Sequence, residues 1–410
     1  MIWKEWAMSK IDDLIAQYCP EGVEWKPLKV VCKDFIVPMR DRPKVFDGDI
    51  PWCRIEDKEG QYFNKSKSGL CVSEEMVKQM NLKIFPTGTV ICSCSASLGS
   101  YAINSRPLIT NQTFIGLVCG EDLYNKYLLY FMETQTNDLV KLATTGTIPY
   151  ISRKKFEELI IPIPPLPVQE EIVSVLDKFT ALEAELEVEL EARTRQYEYY
   201  RNQLLSFEGA AVEWKALGEV GEFIRGKRFV RTDMVEDGFP CIHYGEMYTH
   251  YNIYATESKS FIRAEQAGKL RKAKKGDVVI VAAGETIDDI GKATAWLGES
   301  EVVTHDACFT FRSSLNPKFV AYFSRTKLFH NQIKKHISSG KISAINSKGL
   351  EKAKIPIPPI EEQERIVAIL DKFDALVNDI STGLPAEIQA RRQQYEYYRG
   401  KLLTFEPLSA

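Results

Sequence analysis

The chain carries the same set of motifs twice. Ile161-Pro162-Ile163-Pro164-Pro165 recurs as Ile355-Pro356-Ile357-Pro358-Pro359. Each copy leads into a helical pattern with Leu-Asp-Lys-Phe at 176–179 and 370–373, and each closes on Gln-Tyr-Glu-Tyr-Tyr-Arg at 196–201 and 394–399. A period this long is a domain duplication, not a stack of short repeats. It restricts the fold to two similar heads, each followed by a helical stalk. Such a body suits a partner that is itself repetitive, and duplex DNA is the leading candidate.

The register of the repeat extends through the heads. Gly22-Val23-Glu24-Trp25-Lys26 answers Ala211-Val212-Glu213-Trp214-Lys215, Pro51 answers Pro240, and Gly88 answers Gly276. Gly99 answers Gly291, and Gly146 answers Gly340. Between these anchors the halves diverge, so the framework is shared and the loop content differs. The reading is a first head over 1–160, a stalk over 161–210, a second head over 211–354 and a second stalk over 355–410. Both heads read as mixed α/β. β-rich runs fall at Thr89–Cys94, Thr113–Cys119, Asp277–Val281 and Cys308–Arg312, with helical patterns at Tyr124–Leu142 and Pro317–Ile337.

Residues 168–208 contain no Pro or Gly, and apolar residues recur at Ile172, Val175, Phe179, Leu182, Leu186 and Leu190. Most steps are three or four, as a helix seam requires. Pro167 suits the first turn and Gly209 the stop. The second stalk repeats the seam but is interrupted by Ser381-Thr382-Gly383-Leu384-Pro385, which should break or kink it. Helices this long are rarely stable alone. Packing of the two as an antiparallel coiled coil is therefore expected, with a pseudo-twofold relation between the heads. The alternative is that the stalks only dimerise the protein with another copy.

No apolar run approaches the roughly 20 residues of a membrane span, and the N-terminus has no signal-peptide core, so a cytoplasmic protein is expected. Nine scattered cysteines read as reduced, buried thiols, and no metal-ligand spacing accompanies the five histidines. Net charge is −3, but the heads carry +6 and the stalks −9. The acidic balance belongs to the helices, and the second head is the basic surface. No phosphate-binding glycine loop, dinucleotide fingerprint or nucleophile elbow occurs. Nor is there the Asn/Asp-Pro-Pro-aromatic tetrapeptide of amino-methyltransferases, since the Pro-Pro pairs here sit in linkers. No catalytic residue is assigned.

The heads do hold plausible readers of DNA. In the first, Arg40, Arg42 and Lys44 cluster, Arg54 and Lys58 follow Pro51-Trp52, and Ser95 lies in a small polar loop. In the second, Arg225, Lys227, Arg228 and Arg231 cluster ahead of His243 and Tyr244, and Lys272, Lys274 and Lys275 belong to the densest basic run. Arg and Lys neutralise phosphates, while Arg, Asn and Gln read base edges. Asn111 and Gln112 stand where the second head has His305 and Asp306, so paired positions show different side chains.

These motifs together resemble the specificity (S) subunit of a type I restriction–modification system. The resemblance rests on both Ile-Pro-Ile-Pro-Pro segments, the helix starts Gln169-Glu170-Glu171-Ile172-Val173 and Gln363-Glu364-Arg365-Ile366-Val367, and both Leu-Asp-Lys-Phe and Gln-Tyr-Glu-Tyr-Tyr-Arg motifs. Gly-Val-Glu-Trp at 22–25 and Cys92-Ser93-Cys94-Ser95 add to it. Residues 1–7 do not fit, and Met8 resembles the usual start, so they read as an upstream-start extension. The resemblance implies two target recognition domains, each reading half of a split DNA site, with the helices as a ruler. It implies docking of two modification (methyltransferase) subunits on the helices, with restriction (translocase/nuclease) subunits joining them. The docking candidates are Tyr197, Tyr199 and Tyr200 and their repeats Tyr395, Tyr397 and Tyr398. S-adenosylmethionine, ATP and Mg²⁺ would then be bound by partners, with no cofactor on this chain. The rival class is a coiled-coil scaffold that binds no DNA.

Overall fold

The computed structural model describes residues 2–144 and 147–408, with side chains from Lys10 onward. Met1 and Gly146, the sequence counterpart of Gly340, lie outside them. Ile2–Tyr18 is a helix, so the segment read as an extension forms its first turns. The chain divides into two units. The first holds Met1–Glu185 and Ile388–Ala410, and the second holds Leu186–Glu387.

In the first unit the strand order is Cys32–Ile36, Phe114–Cys119, Val90–Ser93, Tyr101–Asn104, Tyr62–Phe63. Val90–Ser93 is buried at all four positions, as an apolar run covered on both faces must be. The helix Asn125–Thr134 packs on one face, and Phe63, Phe85 and Phe114 form a core on the other. A three-stranded sheet, Cys71–Val72, Ile50–Cys53 and Ile109–Thr110, carries Trp52.

The second unit repeats the main sheet as Gly221–Arg225, Cys308–Ser313, Val278–Val281, Ala293–Trp296, Tyr254–Ala255. Its lesser sheet has five strands where the first unit has three. Divergence between the heads is thus concentrated in that sheet and the loops. Gly99 and Gly291 sit at matching turns with φ of 87° and 88°. A side chain there would be strained in backbone and would strike Thr136 or Ile333 respectively.

Each helical pattern in the heads is two helices, not one. Tyr124–Leu142 divides into Asn125–Thr134 and Thr136–Lys141, and Pro317–Ile337 into Pro317–Phe323 and Lys327–Lys334. In the second head a hydroxyl residue makes the break. Thr326 accepts from the Phe329 N–H as an N-cap, a role that competes with continuing the helix.

The Ile-Pro-Ile-Pro-Pro segments are more than linkers. Ile160–Pro162 pairs antiparallel with Trp25–Pro27, and Lys354–Pro356 with Trp214–Ala216. The Val-Glu-Trp and Ile-Pro motifs therefore close each head at its base.

The first stalk helix runs Leu166–Ser206, 41 residues. It stops at Phe207, itself left-handed at φ 48°, two residues before Gly209 at φ 77°. The second stalk is two helices, Ile360–Asn378 and Leu384–Leu402. At the break Asp379 accepts from the backbone N–H and hydroxyl of Ser381 and from the Thr382 hydroxyl.

Packing within each unit accounts for the repeated motifs. In the first, Phe179 of one Leu-Asp-Lys-Phe stacks on Tyr398 with ring centroids 5.4 Å apart, and Glu183 pairs with Arg392. In the second, Phe373 stacks on Tyr200, also at 5.4 Å. Each Leu-Asp-Lys-Phe thus receives the Gln-Tyr-Glu-Tyr-Tyr-Arg of the other stalk. In the first unit the pairs advance in opposite senses along the chain, an antiparallel helix pair. Gln169 and Gln363 are buried with their amides occupied. Gln169 accepts from the Tyr124 N–H at 2.8 Å and donates to the Asp122 and Pro164 carbonyls, while Gln363 accepts from the Asn316 N–H and donates to the Pro358 carbonyl.

All nine cysteines are free thiols, seven of them buried. Burial pushes the Cys32, Cys53 and Cys241 thiols up to about 12. They are therefore neutral packing groups rather than thiolate nucleophiles.

Candidate nucleic-acid interface

A cavity of about 740 Å³ opens in the second unit. Five segments far apart in sequence meet there, one of them Ala283, Gly284 and Glu285. Arg228 and Arg231 come from the loop after Gly221–Arg225, His243 and Tyr244 from the end of Phe239–Ile242, His305 and Asp306 from the turn before Cys308–Ser313, and Lys341 and Ile342 from a later loop. The framework positions them: the 305–307 turn links a strand of the lesser sheet to one of the main sheet, and Lys341 and Ile342 lead into Ser343–Ala344, which pairs with Ala283–Gly284 in the cavity wall.

The aromatic side chains form one cluster. His305 has its ring centroid 5.0 Å from Phe229, 5.0 Å from His243 and 5.1 Å from Tyr244. Both imidazoles are held at Nδ1 by backbone N–H donors, Gly245 to His243 at 3.3 Å and Ala307 to His305 at 3.1 Å. In the neutral His243 ring this leaves the proton on Nε2, whereas His305 Nδ1 also lies 3.0 Å from the Asp306 carboxylate. Burial lowers the pKa of both, outweighing Glu246 beside His243 and Asp306 beside His305. The cavity thus has an aromatic floor, with Arg228, Arg231 and Lys341 in its wall beside the carboxylates of Glu285 and Asp306.

The other candidates of this head lie around it. Arg225 Nε donates to the Asp306 carbonyl at 3.1 Å, and Lys227 Nζ to the Lys269 carbonyl at 2.9 Å. Lys272, Lys274 and Lys275 do not line the cavity. Lys272 pairs with Glu301 at 3.2 Å and lies over the Phe239 ring, and Lys275 pairs with Glu299.

In the first unit the candidates fall into two groups. Arg42 stacks over Trp52 at 5.2 Å and Phe46 at 5.7 Å, and Arg54 lies over Trp52 while pairing with Glu56. Arg54 and Lys58 flank a short turn pinned by Asp57, which accepts from the Arg54 and Lys67 N–H groups at 2.7 Å each. Burial lowers the Lys58 pKa. The exposed Arg40 and Lys44 share the loop of Arg42.

The second group gathers Ser95, Asn111 and Gln112. The Asn111 side chain accepts from the Thr113 hydroxyl at 2.7 Å, the Gln112 carbonyl accepts from the Cys94 thiol, and Ser95 bridges to Tyr150. Arg40 is close enough to favour ionisation of Tyr150, although burial prevails and raises that pKa. Tyr150, Lys341 and Ile342 were not singled out by sequence. Their signal was present in the repeat, as Thr-Ile-Pro-Tyr-Ile at 147–151 against Lys-Ile-Ser-Ala-Ile at 341–345.

The six tyrosines divide by position. Tyr197 is buried and donates to Asp374 at 3.1 Å, and Tyr395 donates to Glu133 at 2.9 Å. Both hydroxyls are used inside their units. Tyr200 and Tyr398 cover the phenylalanines already described. Tyr199 and Tyr397 are left outward, 62% and 64% exposed.

Among the described residues no group of three or more His, Cys, Asp or Glu is placed to hold a metal ion, and no helix is long and apolar enough to cross a membrane.

Residues 32–192 and 211–390 match the family described as the type I restriction modification DNA specificity domain. The specificity subunit of the type I restriction enzyme EcoR124I/EcoR124II of Escherichia coli is 35% identical over 299 residues, 68% of this chain and 70% of that one. The EcoprrI specificity subunit, also of E. coli, is 29% identical over 381 residues, 88% of this chain and 89% of its own. A solved structure, reported for complex assembly and conformational transition of the type I R-M system, shares the fold. It has a TM-score of 0.62 at 20% identity and covers 94% of this chain and 98% of that one.

Proposed function

The chain belongs to the type I restriction–modification DNA specificity family, and from that membership we propose that it reads DNA for such a complex without catalysing a reaction itself. Each head takes one half of a split, non-palindromic site. One observation carries this reading: the two heads share a framework and differ at corresponding positions, which in the second head line the cavity. Asn111-Gln112 in one stands where the other has His305-Asp306. A shared frame with different donors and acceptors is what two different half-sites require.

The cations rimming the cavity favour this over a scaffold role, since a purely structural head has no use for Arg228, Arg231 and Lys341 around one opening. Tyr199 and Tyr397, outward on matching turns of the stalks, are the surfaces assigned to two methyltransferase subunits. Restriction subunits join that core. S-adenosylmethionine, ATP and Mg²⁺ belong to those partners, and the complex works in the cytoplasm. The length of the first stalk helix sets the distance between half-sites.

The test is duplex binding by the chain assembled with methyltransferase subunits, across a salt series. A reader loses affinity steeply as salt rises, because neutralising phosphates releases counterions. A scaffold shows no specific binding at any salt.

A further inference from the structure

The two heads share a feature that base reading does not use. In the first unit the Thr144 N–H donates to the Tyr150 carbonyl at 3.0 Å, and the Tyr150 N–H donates to the Thr144 hydroxyl at 3.2 Å. In the second, Ser338 and Ala344 exchange backbone hydrogen bonds of 2.8 and 3.0 Å. The position two residues before the closing residue is isoleucine in both, Ile148 and Ile342, 65% and 64% exposed. Three residues further on, Ile151 and Ile345 are buried, and their N–H groups donate to the Cys94 and Ala282 carbonyls. Each loop is pinned at its base and holds a large apolar side chain in solvent.

A single exposed isoleucine needs no explanation. The same one at the same place in two heads whose loops otherwise diverge does. The surroundings narrow the ligand. Ile342 lines the cavity together with three cations, Lys341, Arg228 and Arg231, and two carboxylates, Glu285 and Asp306. In the first head, Tyr150 and Ser95 form a bridge, and Arg40 acts electrostatically on Tyr150. An apolar tip with cations within reach suits a surface that alternates anionic and apolar layers. DNA is such a surface, with phosphates outside and base stacks within.

We propose that Ile148 and Ile342 are paired DNA wedges, each entering a base step of its own half-site while neighbouring cations hold the flanking phosphates. This rests on the DNA-reading assignment above. An apolar side chain between bases unstacks them and bends the duplex, so the step it enters is chosen for ease of unstacking. Each half-site would then carry a sequence preference at a position no hydrogen bond reads.

The experiment uses the complex assembled with methyltransferase subunits and a fluorescent duplex of its own methylated site. Ile342→Ala should weaken binding to the intact duplex about tenfold, the order expected when a side chain of this size no longer buries its apolar surface. Ile148→Ala should do the same for the other half-site. Ile342→Phe should keep affinity. Placing a single mismatch at successive steps should reveal one step where Ile342→Ala binds as well as the unsubstituted chain, because that step is already open. Equal binding of Ile342→Ala and the unsubstituted chain to the intact duplex overturns the proposal. So does an equal loss on every mismatched duplex. Failure of the unsubstituted complex to prefer its own site overturns the DNA-reading assignment itself and is seen before any variant is made.

Discussion

Tyr322 donates its hydroxyl proton to Asp371 Oδ1 across 2.7 Å, and Lys318 holds the other carboxylate oxygen at 2.8 Å. Tyr130, Asp177 and Lys126 repeat the arrangement in the first unit at 2.7 and 2.6 Å. The aspartate is that of Leu-Asp-Lys-Phe, so the motif clamps each head to the helix that follows it. Burial and the adjacent carboxylate hold both phenols well above the usual tyrosine range. Tyr322→Phe should cost about 2 kcal/mol, the scale of a hydrogen bond to a charged acceptor. Urea unfolding of the whole chain checks it, and a cost near zero would remove the clamp.

The cations at the cavity should outweigh the lysine run. Neutralising Arg228, Arg231 and Lys341 should weaken duplex binding uniformly across sequences and flatten the salt dependence, by about 0.9 in log–log slope for each phosphate left without its cation. Neutralising Lys272 and Lys275, which have glutamate partners, should change the slope less. The reverse order would place the DNA elsewhere on the head.

Acid should weaken this head before it touches most carboxylates. Burial holds His243 and His305 below the ordinary value of 6.5. The unfolded chain then binds protons that the folded cavity refuses. The histidine contribution is complete above that value and is lost as pH falls through it toward the lower folded pKa. The melting temperature should drop between about pH 7.5 and pH 5.5. A His243→Asn, His305→Asn double variant should show a shallower drop, and an unchanged slope would assign the effect to other groups.

Removing residues 182–188 takes away Glu183, the partner of Arg392, but keeps the residues of the Phe179–Tyr398 and Phe373–Tyr200 pairs. One heptad is about 10 Å of helix, or roughly three base pairs of duplex. The permitted spacer should shorten by that amount with both half-sites still read. A methylated motif of unchanged spacing contradicts the ruler.

Much of this was legible because the repeat samples one framework twice. The stalk seams, the presence of a break in the second stalk and the strand at Val278–Val281 follow from periodicity and breaker chemistry, although the break falls at 379–383 and Leu384 and Pro385, expected within it, open the next helix. What was missed depended on distance in sequence. The Ile-Pro segments look like linkers until Trp25 and Trp214 are seen to pair with them. Tyr197 and Tyr199 look alike in a Tyr-rich motif, yet one faces Asp374 and the other solvent. Lys272 and Lys275 look available until Glu301 and Glu299 are placed beside them. Ile148 and Ile342 were passed over because an isolated apolar loop residue carries no signal on its own.

The most direct measurement is a genome-wide map of methylated bases with this chain co-expressed with the methyltransferase subunits, and again with Asn111, Gln112, His305 and Asp306 changed in separate heads. One split, non-palindromic motif should appear, and it should vanish when the chain is omitted. Changes at Asn111 and Gln112 should alter one half, and changes at His305 and Asp306 the other. A motif that survives omission of the chain, or a stable complex with no motif at all, would contradict the account.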